Sequence, residues 1–387
     1  MTEASKPNSE QQNKLLELAW LFLRLGTTAF GGPAAHIAMM EDEVVRRRQW
    51  LSREDFLDLL GATNLIPGPN STEMAIHIGH RRAGWAGLFV AGTCFIVPAV
   101  VLVTVIAWAY VRFGSLSVTQ GLLVGVKPVI IAVVLQALWG FGKTAVKSTL
   151  LGAVGIAAVI ASALGVNELL VLLGAGTLML LVSTAKQTRS TAIIPLLASS
   201  FGSGTATPAS IATVGLMPLF LFFLKVGAVL FGSGYVLLAF LRADLVERWH
   251  WLTESQLLDA VAVGQFTPGP VFTTATFIGY VLGGVPSALV ATVGIFLPAF
   301  IFVAISAPII PRLRKSRTAG AVLDGVNVAS LALMIVVTWF LGRSAITSWW
   351  TICVSAASAV LLIRFRVNSA WLVLGGAMIG FISYGLQ

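Results

Sequence analysis

Apolar stretches of about 20 residues recur along almost the whole chain, and each is long enough to cross ~30 Å of hydrocarbon as a helix. Only 11% of residues are charged and the mean hydropathy is +0.90, against about 25% charge in a soluble domain. Lipid is therefore the expected solvent. The 387 residues divide better into roughly ten crossings than into soluble domains. Met1–Lys14 is polar and lacks the charged-then-apolar order of a cleaved signal; it is expected to be a disordered tail. The net charge of +9 fits basic loops and an anionic substrate better than nucleic acid. Cys94 and Cys353 sit singly in apolar stretches, without metal-ligand spacing, and read as packing residues.

The chain also repeats itself. Phe22-Leu23-Arg24-Leu25-Gly26 returns as Phe223-Leu224-Lys225-Val226-Gly227. Trp50-Leu51-Ser52 returns as Trp251-Leu252-Thr253, and Pro67-Gly68-Pro69 as Pro268-Gly269-Pro270, each 201 positions later. From Ile78-Gly79 the offset is 200, through Pro98-Ala99 with Pro298-Ala299 and Gly125-Val126 with Gly325-Val326. A register kept over about 100 residues with one single-residue deletion marks a duplication.

Each half then reads alike. A first span is expected over 15–40 and 216–241, and two short apolar segments meet at Pro-Gly-Pro over 54–82 and 254–282. Four longer spans follow at 85–110, 119–142, 148–164 and 168–184, with counterparts at 284–310, 319–342, 344–362 and 368–385. The organisation is a polar tail 1–14, a first transmembrane repeat 15–184, a Ser/Thr/Ala/Gly-rich linker 185–213 and a second transmembrane repeat 214–387.

Positive charge decides whether the Pro-Gly-Pro hairpins cross. If they re-enter, each half has five crossings and the halves point in opposite directions. With the N-terminus outside, 16 Lys and Arg fall inside, 6 outside and 3 within the membrane. If the hairpins cross and the halves are parallel, the best split is 13 against 9. The expected fold is thus an all-α polytopic membrane protein of two inverted-topology repeats. Each has about five transmembrane helices plus a broken re-entrant helical hairpin.

Inverted repeats place substrates near the midplane, between the ends of broken helices. Asn64 through Glu73 has this form. Asn70 or Ser71 would cap a half-helix whose free N–H groups and dipole end attract an anion. Asn64, Gly68, Asn70, Ser71 and Thr72 are candidate binding residues. Gln265, Gly269, Thr273 and Thr274 are their partners in the second half; the alternative is a tight loop that only shapes the fold. Arg24 and Lys225 lie nine residues into their expected spans, on the order of 13 Å deep, where cations are costly and usually functional. The pair would hold a dianion from two sides. The alternatives are snorkelling, or pairing with Glu17 or an acid such as Asp58.

Asp58 and Asp259 are a repeat pair and candidate partners of Arg24 and Lys225. Lys127 faces Asn327 in the repeat and is a pathway candidate on its own. Glu73 with His77 reads either as a proton carrier or as a capping box beside a buried histidine. His36 either lines the pathway or packs. Gly26, Gly31 and Gly32, with Gly227, Gly232 and Gly234, are expected to break the first span of each half. Gly121-x-x-x-Gly125 and Ala321-x-x-x-Gly325 invite close helix packing.

Phe30-Gly31-Gly32-Pro33, the run Pro67–Thr72, the run Gln265–Pro270, Phe231-Gly232-Ser233-Gly234 and the Trp-Leu-Ser/Thr repeat resemble the chromate ion transporter family in its long, two-domain form. The likeness covers about 15–385. It implies a multi-pass inner-membrane protein that exports chromate and confers resistance. Sulfate, isosteric with chromate, is the alternative substrate. Short members of that family are single halves that work as pairs, which also raises a homodimer as an expectation. No cofactor or metal is expected, and with no HExxH and no paired zinc ligands the chain does not read as an intramembrane enzyme. A passive anion channel is a third reading.

Overall fold

The computed structural model describes residues 6–30, 32–114, 116–187, 215–231, 236–306, 317–365 and 367–385. These are mostly helical, with no strand among them. Among the described residues five helices are long and apolar enough to cross a membrane by length and composition.

The first half opens with α1 (Lys6–Thr28) and α2 (Gly32–Glu41), which runs into a π-helical turn, Asp42–Arg47. Two expectations change here. Residues 6–14 are helical rather than disordered, with Lys14 bonded to Glu10 one turn back at 2.6 Å. The segment 15–40 is also not one rod. The chain reverses at 29–32, where Gly32 takes φ +77°. Arg24 then meets Glu43 at 2.6 Å and the His36 Nε2 meets the Ala29 carbonyl at 3.0 Å. α1 and α2 are therefore antiparallel arms of a hairpin. Gly31, Gly232 and Gly234 lie outside the described residues.

A second hairpin follows. α3 (Arg53–Thr63) starts where Ser52 Oγ accepts the Asp55 N–H at 3.0 Å. α4 (Asn70–Phe113) begins just past Pro67-Gly68-Pro69. Its helical path breaks at Ala83 and Gly84, the latter at φ +62°. The arm 70–82 folds back beside 85–113, so closely that a side chain on Gly79 would strike the Gly87 carbonyl. Arg81 and Asp55 close the open end of the α3–α4 hairpin at 3.4 Å, and Asn70 bonds Asn64 across its tip at 2.9 Å. An arm of 13 residues is about 20 Å long, so the tip reaches past the middle of a ~30 Å core. Arg82 bonds Glu17 at 2.9 Å and lies over the Trp50 ring, so both hairpins are entered from one side.

α5 (Ser117–Ala145), α6 (Thr149–Ala163) and α7 (Glu168–Gln187) complete the half. The linker 185–213 lies outside the described residues beyond Gln187.

The second half repeats this order of elements. α8 (Leu216–Val229) and α9 (Leu237–Leu241) with its π-helical turn Arg242–Arg248 form the first hairpin, tied by Lys225 and Asp244. α10 (Glu254–Phe266) carries a full capping box from Thr253 and Gln256. A short 3₁₀ turn, Val271–Thr273, leads into α11 (Thr274–Ser306), which breaks at Gly283-Gly284. Gln49 and His250, 201 apart, even share the left-handed conformation, at φ 51° and 53°. α12 (Arg317–Ala345), α13 (Trp349–Arg364) and α14 (Ser369–Gly385) follow.

The halves interlock rather than sit side by side. α14 packs on α5, and α7 packs on α12. Gly125 meets Gly376 and Gly380, and Gly380 meets Gly121, so α5 and α14 run antiparallel with backbones in contact. Gly325 against Ala175 is the matching contact on α12 and α7. Close approach of small residues supplies the packing that hydrophobicity cannot supply in lipid. α5 and α12 are equivalent helices, yet Gly142 meets Leu331 and Lys147 meets Asp324 at 2.7 Å. Equivalent helices thus run in opposite directions, so the repeats are inverted. The outer faces match too. Phe89, Val97, Val101 and Val105 are exposed on α4, and Leu289, Leu297, Ile301 and Ile305 on α11, which defines two lipid-facing stripes.

A Gly125→Leu substitution has no room against the Gly376 carbonyl. It is expected to cost about 1–3 kcal/mol and to lower the thermal midpoint in detergent, while Gly140→Leu, with open space around it, leaves the midpoint unchanged.

Candidate functional site

The hairpin tips of the two halves meet. The Gly68 N–H donates to the Leu230 carbonyl at 2.6 Å, and the Gly269 N–H donates to the Ala29 carbonyl at 3.0 Å. Ala29 and Leu230 are 201 apart, as are Gly68 and Gly269, so the two bonds are one contact made twice. Each Pro-Gly-Pro tip bonds the first-hairpin tip of the opposite half. Both glycines need positive φ, +140° at Gly68 and +90° at Gly269. A side chain on Gly269 would also strike Ala99, and one on Gly68 would strike the Glu73 carboxyl. Broken backbone is tolerated at membrane depth where protein or a wet cavity covers it.

The first tip is polar. Pro69, not Asn70 or Ser71, is the residue before the helix, and no side chain caps that end. Asn70 instead spends an amide N–H on Asn64, whose own amide donates to the Leu60 carbonyl. Ser71, Thr72, Glu73 and His77 are buried behind it. The capping-box role read for Glu73 is absent, because neither carboxylate oxygen has a hydrogen-bond partner.

The second tip is largely apolar. Val271 and Phe272 stand where the first has Asn70 and Ser71. Thr273 and Thr274 are buried, and their hydroxyls donate to the carbonyls of Pro270 and Val271, each at 2.8 Å. Gln265 is half-buried near the end of α10.

Arg24 and Lys225 lie four residues before the ends of α1 and α8, but they do not share one centre. Arg24 bonds Glu43, and Lys225 bonds Asp244. Both are part-exposed, at 41% and 37% of their side chains. Arg24 lines an open cleft of about 490 Å³ with Leu25, Thr28, Asp42, Glu43 and Arg47. Glu43 and Asp244 are themselves 201 apart. Extending the repeat register through Val44 and Leu245 would have found them; Arg24 bonds Glu43, while Glu17 bonds Arg82.

Asp259 does not pair with Lys225. It accepts the Tyr110 hydroxyl at 3.0 Å and lies 3.5 Å from Lys127, which also donates to Ser255 at 2.5 Å. Lys127, expected to stand alone, thus ties α5 of one half to α10 of the other. Asp58, its repeat mate, is exposed. His36 sits edge-on to Phe95, and its Nε2 bonds the same Ala29 carbonyl that receives Gly269. A carbonyl only accepts, so this nitrogen carries a proton. His36 therefore braces the cross-repeat contact. Among the described residues no cluster of three His, Cys, Asp or Glu could hold a metal ion.

Two interlocked inverted repeats, with broken hairpins meeting tip to tip inside a helical scaffold, form an all-α polytopic membrane protein with an architecture that secondary transporters also use. The chain belongs to the chromate transporter family, which it matches over residues 16–180 and again over 217–381. It is 32% identical to the chromate transport protein of Cupriavidus metallidurans, over 100% of this chain and 97% of that one. It is 31% identical to the probable chromate transport protein of Synechococcus elongatus, over 86% of each. It is also 31% identical to the chromate transport protein of Pseudomonas aeruginosa, over 81% of this chain and 77% of that one. No solved structure matches.

Lys127→Met leaves Asp259 buried without a cation and is expected to cost about 3–5 kcal/mol. The double variant Lys127→Met/Asp259→Asn recovers most of that loss in a thermal melt.

Proposed function

We propose that this protein exports chromate across the inner membrane and thereby confers chromate resistance. The observation that carries the reading is the match of both halves to the chromate transporter family. The tip geometry supports it physically. The uncapped start of α4 offers N–H groups and a partial positive charge at mid-depth, as an oxyanion requires. The proposed site comprises Asn64, Gly68, Asn70, Ser71 and Thr72 with Gln265, Gly269, Thr273 and Thr274. Arg24 and Lys225, each balanced by a carboxylate, act as a relay beside the tips rather than a joint clamp. A passing dianion competes with Glu43 or Asp244 for its cation and is then released when the acid returns. Alternating access follows if one half's hairpins move against the other's about the reciprocal tip bonds.

The energetics favour export. One charge moved through 100 mV is worth about 2.3 kcal/mol, so a dianion leaving a negative interior with no companion ion gains about 4.6 kcal/mol. That is roughly three decades of concentration. The reversal of the first hairpin puts Lys14 on the side of Arg46, Arg47, Arg48, Arg53, Arg81 and Arg82. With that side taken as cytoplasmic, as the positive-inside rule favours, the proposed orientation has the N-terminus inside. Both pairs of tips are completed within one chain, so the mechanism requires no second copy.

Sulfate is the second reading, since it is a tetrahedral dianion of similar size. Everted vesicles separate the two: chromate uptake that excess sulfate barely competes supports the proposal, and carriage of sulfate without chromate rejects it.

Arg24→Ala and Lys225→Ala are each expected to lower chromate flux at least tenfold while inserting normally. The swap Arg24→Glu/Glu43→Arg keeps the ion pair, so it should restore folding but not flux. Recovery of flux in the swap would make the pair purely structural.

A further inference from the structure

Four acidic side chains are buried among the described residues: Glu43, Glu73, Asp244 and Asp259. Three face cations. Glu43 has Arg24, Arg47 and Arg48; Asp244 has Lys225 and Arg248; Asp259 has Lys127. Glu73 is the most deeply buried, at 0% exposure, and both of its oxygens lack a hydrogen-bond partner. Its carboxyl lies over Gly68, at the tip where the halves meet.

The charged groups on the elements packed against it are engaged or distant. On α1, Glu17 bonds Arg82 and Arg24 bonds Glu43. On α2, His36 bonds the Ala29 carbonyl and Glu41 pairs with Arg46. On α3, Asp55 pairs with Arg81, while Arg53, Glu54 and Asp58 are exposed. On α10, Glu254 pairs with Arg242 and Asp259 with Lys127. Thr274–Ser306 contains no Asp, Glu, Lys, Arg or His. On α4 itself, His77 lies one turn on with its Nε2 unpartnered, and His80, Arg81 and Arg82 sit toward the hairpin base.

A buried carboxylate without a counter-charge is costly, so the missing positive charge points to a ligand. The neighbouring orphan atoms also lack a cation or donor. Asn70 Oδ1 and Thr72 Oγ1 are buried without partners, and Asn70 has already spent an amide N–H on Asn64. We propose that Glu73 binds one monovalent cation, a proton or Na⁺, that travels with the oxyanion. The site is confined to the first half, because Thr274 stands at the repeat position of Glu73. The inference rests on the proposed oxyanion transport and adds its coupling: one net negative charge moves per dianion, not two.

The test is the reversal potential of chromate flux in proteoliposomes of the full chain. A tenfold chromate gradient is balanced by about 59 mV when one charge moves and about 30 mV when two move. The wild type should give about 59 mV, shifted further by an imposed pH gradient if the cation is a proton, or by a Na⁺ gradient if it is sodium. Glu73→Gln should give about 30 mV with no response to either gradient. A wild-type value near 30 mV, insensitive to both, overturns the inference and leaves oxyanion transport standing. A Glu73→Gln value still near 59 mV, with the cation response intact, also overturns it. Absence of any oxyanion flux in the wild type removes both readings together.

Discussion

Everything in this structure depends on making broken backbone affordable inside a membrane. Pro67-Gly68-Pro69 and Pro268-Gly269-Pro270 each interrupt a helix at a depth where water cannot satisfy the freed groups. The reciprocal bonds from Gly68 to Leu230 and from Gly269 to Ala29 solve this by letting each half complete the other. In this chain each half satisfies the tip of the other, so the site is built by two halves together. The interlocked outer helices, α14 on α5 and α7 on α12, hold the tips in register from outside.

On that symmetric frame sits an asymmetric chemistry. The first tip has Asn70, Ser71 and Glu73; the second has Val271, Phe272 and Thr274 at the same places. Lys127 and Tyr110 hold Asp259 and with it α10, whereas the repeat position of Lys127 is Asn327 and Asp58 is exposed. The second hairpin is thereby anchored to the opposite half by an ion pair. A division into one chemical tip and one scaffolding tip follows from these residues.

Much of the fold was legible in the sequence because the duplication prints every constraint twice. The matched Pro-Gly-Pro runs and the Gly121–Gly125 spacing appear in the structure where their pattern implied, whereas Gly26 and Gly227, expected to break the first spans, stay helical and pack against the carbonyls of Phe95 and Ile295. An interruption near Gly32 was expected, but that the chain folds back between α1 and α2 was not legible, because an apolar segment of that length has the same composition whether it crosses or folds back. The tip contacts were hidden for a related reason. They are made by backbone N–H and C=O groups, which leave no mark on residue identity. Arg24 and Lys225 were recognised as a pair, but their partners Glu43 and Asp244 lie just past the expected spans 15–40 and 216–241 and were not among the expected acids. Glu73 looked like a capping residue from its spacing, and only burial without a partner separates that role from an ion site.

The most direct test is a chromate-bound structure of the full chain, with the ion located by the anomalous scattering of chromium. The account predicts the ion at the first turn of α4, within hydrogen-bonding reach of Asn70 and Ser71 and enclosed by hairpin tips from both halves. An ion found only at the membrane surface, or tips separated by lipid, would contradict it.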